Sequence, residues 1–508
     1  MQALDKPVII VTAGIYLLFV VLIGLWAVRR TRTAKDFFIA GQGIGLMVTA
    51  LATMSAAFSG FLFIGGPGLT WRLGMASLFI SFPVSFTAGL LCWTVAKRLR
   101  LLAEVREVYT VPDAIYHRFG SRSASGLAAL AVVVGTLGYL GAQLQAMGVV
   151  IEAIFGTREM FGEHSLAVAM GAGLLIVLFY AVAGGMVAGV YTDVFQGALM
   201  MGAAVAVFYY AMDSGGGMEQ IARDIASSEA FGPSFLDPLG NLPIYTAMGF
   251  FFLFAVGNLG QPQTLHKFFM LDDPRKLKWM PLILGVSQTL VVFIWLGIGL
   301  AVPALVASGR LEPLARPDDA APTFLLHFAP ELLAGIVFAG ILAAIMSTAD
   351  SFVNLASAAL VRDLPRAFGR QVDNQLFWGR VAVVVVAIAA AVFAWLYGDL
   401  VALLGTFAFG TFAAALAPAV AVGLNWKKVT PQAATASIGT GLVMNLGLEF
   451  LAKQTYFPSL PKAPLAAGVL PAAVSLAASF SVLFVVSWWT RTGNTVPIDE
   501  DVSAIMAL

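Results

Sequence analysis

The chain has 508 residues, 59% of them hydrophobic and 11% charged, with a net charge of +1 and a mean hydropathy of +0.88. That composition excludes an ordinary soluble domain, and the balanced charge gives no electrostatic case for nucleic acid as a partner. A single cysteine, Cys92 in an apolar run, excludes a disulfide framework within one chain, and His117, His164, His266 and His327 lack metal-ligand spacing.

Measured against the roughly 20 apolar residues that span a bilayer, the sequence predicts thirteen segments. They fall at about 7–28, 43–70, 75–96, 124–155, 165–185, 191–212, 243–265, 280–303, 330–360, 377–397, 401–424, 431–450 and 467–489. The first follows Asp5 and Lys6 with no basic leader or cleavage site, so it reads as a retained helix. The fourth and ninth are long enough to tilt or to project from the bilayer. Stretches 213–242 and 304–322 are rich in Gly, Pro, Ser and Asp and are expected to carry short surface helices. The expected organisation is one membrane transport domain over residues 1–490 and a short cytoplasmic tail over 491–508.

Of the 29 basic residues, 20 fall in one set of alternate loops: Arg29, Arg30, Arg32, Lys35, Lys97, Arg98, Arg100, Arg106, Arg118, Arg122, Lys267, Arg275, Lys276, Lys278, Arg362, Arg366, Arg370, Lys427, Lys428 and Arg491. Eight fall in the other set: Lys6, Arg72, Arg158, Arg223, Arg310, Arg316, Lys453 and Lys462. Arg380 lies within a helix. Cytoplasmic loops of membrane proteins are enriched in Lys and Arg, so the N-terminus is expected outside and the C-terminus inside, in the cell membrane (for a bacterium, the inner membrane).

The second segment contains Ser55, Ser59 and Gly60, then Gly65-Gly66-Pro67-Gly68, and the seventh contains Gly257-Asn258-Leu259-Gly260-Gln261-Pro262-Gln263. Proline removes a donor and clashes with the preceding turn, and such breaks survive in lipid where the freed groups line a cavity. Paired interruptions in two halves point to a transporter's binding site. Their five-helix separation predicts a 5+5 inverted repeat, helices 2–6 (about 43–212) and 7–11 (about 243–424), flanked by the first helix and by two more over 431–489. The alternative is that these residues only kink or pack the helices. Ser59, Phe61, Phe254, Asn258, Gln261 and Gln263 are the candidate solute contacts, neutral donors and acceptors among aromatic walls. Open helix N-termini there would favour a carboxylate.

Tyr180 to Gln196 contains Gly184-Gly185, read as a tight cytoplasmic connection, and Asp193. Asp193 is either a carboxylate stabilised by a helix N-terminus or a cation ligand. Residues 342–351 place Ser347, Thr348, Asp350 and Ser351 within five positions, with Ala344, Ser347, Thr348 and Ser351 near one helical face. These are hard oxygen ligands suited to a small cation. The alternative is that the hydroxyls bond back to their own helix and Asp350 reaches the membrane edge.

Three motifs together resemble the sodium:solute symporter family, which includes the bacterial proline carriers. Tyr180 to Asp193 is similar to its aromatic–Gly-Gly…Thr-Asp signature. Ala343 to Ser351 resembles its sodium-site helix. Gly260-Gln261-Pro262 with Phe268-Phe269-Met270 resembles the proline-carrier run. The resemblance covers about residues 7–490 and implies an all-α polytopic membrane protein of leucine-transporter type. It implies a sodium ion bound by the carbonyls of Ser55, Phe58 and Ala344 and the hydroxyls of Ser347 and Thr348. It also implies a second cation site from Asp193, Ser347, Asp350 and Ser351. Ala57 stands where proline carriers have Asp, and Phe254 and Asn258 replace their Trp and Tyr, which argues against proline itself.

The expected function is sodium-coupled symport of a small carboxylate or amino acid by alternating access. The rivals are a proton-coupled carrier using Asp193 and Asp350 and, further off, a solute-sensing module, for which the tail is too short. No nucleophile–base pair or metal cluster suggests an enzyme.

Overall fold

The computed structural model describes residues 6–28, 42–397, 400–452, 465–491 and 498–508, and within these the side chains of 20, 21, 24–28, 180, 183–188 and 191 are left aside. The basic run 29–35, Lys453, Lys462 and the Tyr180 and Gly184-Gly185 side-chain positions therefore lie outside the described residues. Every expected apolar segment is helical. Eleven helical runs are long and apolar enough to cross a membrane, and two shorter apolar helices, Pro7–Phe19 and Leu46–Ala57, complete the set among the described residues.

The helices that position the site are α1 (Pro7–Val28), α2 (Leu46–Ala57), α3 (Gly66–Leu73), α4 (Val111–Phe119), α5 (Arg122–Phe155) and α6 (Ser165–Ser214). They continue with α7 (Ile244–Gly257), α8 (Pro262–Phe269), α9 (Met280–Ala307), α10 (Glu331–Ala358), α11 (Val401–Ala417) and α12 (Glu500–Ala507). The α6 run has 50 residues, about 75 Å if straight, far beyond one bilayer. Both its ends nonetheless adjoin the loop 308–319. Thr157 and Ser165 hydroxyls meet at 2.7 Å beside the Arg158–Glu152–Arg316 cluster, and Arg310 donates to the Ser214 carbonyl at 2.6 Å. The run therefore cannot be one straight span, and its stretches Thr157–Phe179 and Thr192–Ser214 are each long and apolar enough to cross a membrane.

The segments sort by burial. The window in Val401–Val422 is 94% buried and that in Pro471–Thr490 only 33%, so α11 is the central post and the last long helix faces lipid. Trp488 and Trp489 are 75% exposed at its end, where interfacial tryptophans anchor a helix. α11 runs past both interrupted helices. A Cβ on Gly260 would lie 2.6 Å from the Ala417 backbone nitrogen, and one on Gly65 3.0 Å from that of Ala402. Small residues let helices meet this closely where lipid offers no hydrophobic drive to association.

One face gathers Lys97, Arg100, Arg106, Arg118, Lys427 and Arg491, each donating to an oxygen of a neighbouring loop, helix end or the C-terminal helix. The opposite face carries the Glu152–Arg316–Asp319 cluster, and the expected short helices appear there as Met218–Ser227 and Ala320–His327. Within the tail, α12 buries Val502, Ile505 and Met506, with Arg106 on Asp499 at 2.7 Å and Lys97 on the Leu508 carbonyl at 2.9 Å. One sequence expectation changes. Lys267, counted with the loops, is 1% exposed because α8 carries the chain back into the bundle after the seventh-segment break.

The Gly260–Ala417 contact gives a direct check. Gly260→Ala is expected to destabilise by about 1–3 kcal/mol through overpacking. Gly447→Ala, where the added methyl meets nothing within 4 Å, should stay within about 0.5 kcal/mol. Thermal unfolding in detergent compares the two.

Candidate functional site

The first break falls at Phe58 and Ser59. α2 ends with Phe58 extended (φ −100°, ψ 116°), and helical structure resumes as a π-turn over Phe61–Gly65 leading into α3. Each freed backbone group needs a partner in a lipid-embedded protein. The Gly60 N–H donates to Gln143 Oε1 of α5 at 2.9 Å, and the Phe61 N–H donates to Ser59 Oγ at 3.1 Å. The second break runs through a 3₁₀ turn at Asn258–Gly260 to Gln261, which is extended (φ −78°, ψ 105°). Gln261 Nε2 donates to the carbonyls of Gly257 and Phe409, each at 3.1 Å. The start of α2 and the end of α8 are tied on the basic face, Ile44 N–H to Met270 O at 3.0 Å and Asp272 N–H to Ile44 O at 2.9 Å.

Ser59 and Gln261, expected to touch the solute, thus cap and stitch the breaks. The half-helix N-terminus expected to attract a carboxylate has Gly60 and Phe61 already satisfied by Gln143 and Ser59. The other four solute candidates, Phe61, Phe254, Asn258 and Gln263, do line a common cavity of about 40 Å³ between the breaks. That volume holds a few waters, so a solute enters only when the lining parts. Phe61 stacks on Phe254 at 5.8 Å and meets Trp295 edge-on at 5.9 Å, and Phe254 stacks on Phe409 at 4.4 Å. Asn258 Nδ2, Gln263 Oε1, Thr264 Oγ1 and Ser81 Oγ are buried without hydrogen-bond partners, and the lining contains no charged side chain.

Next to this cavity α10 lies against α2. Ser347 Oγ is 3.1 Å from the Ser55 carbonyl and 3.1 Å from the Ala344 carbonyl, so three of the five expected ion ligands converge on one point. Thr348 Oγ1 and Ser55 Oγ are buried there without partners, and Phe58 is buried at the break and lines the solute cavity. The residues present fit a small hard cation: neutral oxygens that outnumber the donors reaching them, contributed from both sides of a helix interface.

Asp193, Asp350 and Ser351 are likewise buried, at 0–1% exposure. Lys267 Nζ pairs with Asp193 Oδ2 at 2.8 Å. Asn354 Nδ2 donates to Asp350 Oδ1 at 3.0 Å. Asp193 Oδ1, Asp350 Oδ2 and Ser351 Oγ have no partner. Both carboxylates are buried inside the protein, and among the described residues no group of three or more His, Cys, Asp or Glu is arranged for a metal.

Sequence reasoning missed Gln143, Trp295, Thr264, Phe409 and Lys267. Gln143 carried the clearest signal, one of two amides (with Gln145) inside a 34-residue apolar helix, since intramembrane polar residues bond between helices. Nothing local marks Trp295 or Phe409, which reach the cavity only through packing.

Two ion-pair clusters flank the central cavity. On one face Glu152 joins Arg316 and Arg158, and Arg316 meets Asp319 at 2.8 Å. On the basic face Asp113 of α4 joins Arg366 at 2.8 Å and Arg362 at 3.3 Å, and Arg362 stacks over Tyr109 at 3.8 Å. Such clusters can hold helix ends together in one state and part in another.

The capping of Gly60 is testable alone. Gln143→Leu should cost about 1–3 kcal/mol by leaving a buried N–H unpaired, read as a lower unfolding temperature with or without ligands.

Comparison with known proteins gives a consistent set of relatives. The model of the "Sodium:solute symporter family" matches residues 37–441. The osmoregulated proline transporter OpuE of Bacillus subtilis is 27% identical over 460 residues, 88% of this chain and 90% of the relative. The sodium/proline symporter of Escherichia coli is 29% identical over 458 residues, 87% of each. Among solved structures, a Na+-coupled sialic acid symporter in a substrate-bound outward-open state superposes with TM-score 0.77 at 16% identity, covering 96% of this chain and 99% of that one. The nucleobase-cation-symport-1 family transporter Mhp1 gives 0.56 at 16% identity, covering 94% and 99%. The fold is that of the leucine-transporter type.

Proposed function

The chain belongs to the sodium:solute symporter family and is a sodium-coupled secondary active symporter, and from that premise we propose that it carries a small zwitterionic solute such as an amino acid in the cavity between the two breaks. The coupled sodium ion sits against Ser347. The observation that carries the ion placement is the Ser347 hydroxyl held 3.1 Å from both the Ser55 and the Ala344 carbonyl oxygens. Sodium bound by Ser55, Phe58, Ala344, Ser347 and Thr348 takes oxygens from α2 on one side and α10 on the other. It therefore favours whichever state brings these helices together, and a ligand shifts such an equilibrium only by its differential affinity for the two states.

The solute class follows from the lining. With no charged side chain facing the cavity, a solute of net charge would be buried uncompensated, at a cost of several kcal/mol, whereas a zwitterion brings its own balance. The unpartnered Asn258 Nδ2 suits its carboxylate and Gln263 Oε1 its ammonium. Phe61, Phe254 and Trp295 surround the apolar part. This favours amino acids over monocarboxylates and keeps proline, carried by the two bacterial relatives, among the candidate solutes despite Ala57.

In this proposal the repeats are about 43–212 and 243–424, each opening on an interrupted helix, with the basic face cytoplasmic and the N-terminus outside. Membrane potential offers about 2.3 kcal/mol per charge per 100 mV, enough to concentrate a neutral solute about fifty-fold per sodium ion.

Ser347→Ala is expected to raise the sodium concentration for half-maximal uptake at least about tenfold; an unchanged sodium response would sink the placement. For the solute, thermal shifts of purified protein in sodium should be larger with neutral amino acids than with monocarboxylates. Asn258→Leu should abolish the solute increment and keep the shift due to sodium alone. A monocarboxylate outranking every amino acid would reverse the assignment.

A further inference from the structure

A second cavity opens on the face opposite the basic one. Its volume is about 390 Å³, against about 40 Å³ for the central cavity, and the two linings share no residue. Pockets of about 300–1,000 Å³ that combine apolar walls with a few convergent polar groups are the usual seats of small ligands. One wall is the far end of α3, with Trp71 and Arg72. The other is the loop 228–242, with Phe231, Ser234, Phe235 and Asn241. That loop is seated by packing: Phe235 is buried with Ile221, Ile225, Leu300 and Ala304. The turn after α3 closes against it at Gly74, where φ is +63° and a Cβ would lie 2.3 Å from the Phe235 carbonyl oxygen. Trp71 meets Phe231 edge-on at 5.1 Å, and Phe231 meets Phe235 edge-on at 5.2 Å, so the rings make one aromatic wall.

Arg72 is the one charged side chain in this lining. It is exposed and makes no ion pair or hydrogen bond among the described residues, and the side chains of Ser234 and Asn241 are equally uncommitted. Glu229, Asp237 and Glu312 lie within two residues of the lining in sequence, yet none pairs with Arg72. We propose that this pocket is a second binding site, for an organic acid whose carboxylate sits on Arg72 and whose flat apolar body lies against Trp71, Phe231 and Phe235. A guanidinium takes a carboxylate through two parallel charge-assisted bonds, and aromatic edges and faces suit a planar ring. The ligand differs in class from the solute of the central cavity. There no charged side chain faces the lining, and a zwitterion balances itself. Here an unmatched cation calls for net negative charge. Arg72 stands eleven residues beyond Phe61, about 15 Å along a helix. An acid bound there joins α3 to the loop and to the end of α9 at Val306. It therefore acts on the half-helix whose other end borders the solute cavity.

The test is equilibrium binding of radiolabelled benzoate to the purified full chain in sodium, with no other solute added. The wild type is expected to bind benzoate saturably. Arg72→Gln should weaken that binding about tenfold or more, the loss of a bidentate charged pair, and Phe231→Ala should weaken it several-fold. Arg72 is exposed, so its variant is expected to unfold at the wild-type temperature when no ligand is present. Arg223→Gln, on the same face but outside the lining, and Asn258→Leu, in the central cavity, should leave benzoate binding unchanged. No saturable binding to the wild type, or Arg72→Gln binding like the wild type, overturns the site. Acetate displacing the label as well as unlabelled benzoate does overturns the apolar half of the assignment. Binding lost in Asn258→Leu and kept in Arg72→Gln places the acid in the central cavity. That result overturns this pocket and, separately, the preference of the central cavity for amino acids.

Discussion

Every backbone donor and acceptor in a membrane-embedded helix must find a partner inside the protein, and an interrupted helix has to meet that demand with side chains. At the first break the donors are covered by Gln143 and Ser59. At the second, Gln261 donates to Gly257 and Phe409 carbonyls. The residue is an excess of acceptors. The Ser55 carbonyl has lost the helical donor that Ser59 would supply, and a single hydroxyl, Ser347, is left to serve it together with Ala344. A place where oxygens outnumber protons is a place for a cation. The ion site is thus a consequence of how the break is made, and the solute cavity is its neighbour for the same reason.

The breaks are held open by α11 rather than by each other. Gly65 abuts Ala402, Phe61 lies against Gly405, Gly257 against Ala413 and Gly260 against Ala417, so one straight, nearly fully buried helix keeps contact with both irregular segments along its length. Packed interiors resist gradual deformation and move between discrete arrangements. A rigid post with two small-residue seams suits that behaviour, because the half-helices can shift along it without opening a void. Ion and solute then act on the same pair of seams, and the preference each confers on the other is reciprocal.

Much of this was legible in the sequence because lipid imposes length and polarity on every span. The thirteen segments, the two interruptions and the oxygen cluster at Ser347 follow from apolar runs, Gly and Pro, and hydroxyls at helical spacing. What could not be read was which polar side chains repair the breaks and which face the cavity. Ser59 and Gln261 sit in the interruptions and bond backbone groups, Ser59 at Phe61 and Gln261 at Gly257 and at Phe409 of α11, while Gln143 and Thr264, outside them, reach inward. Trp295 and Phe409 come from helices with no local mark of function. Lys267 was assigned to a loop because the second break hides that the chain re-enters the bundle as α8, and only three-dimensional packing reveals its partner.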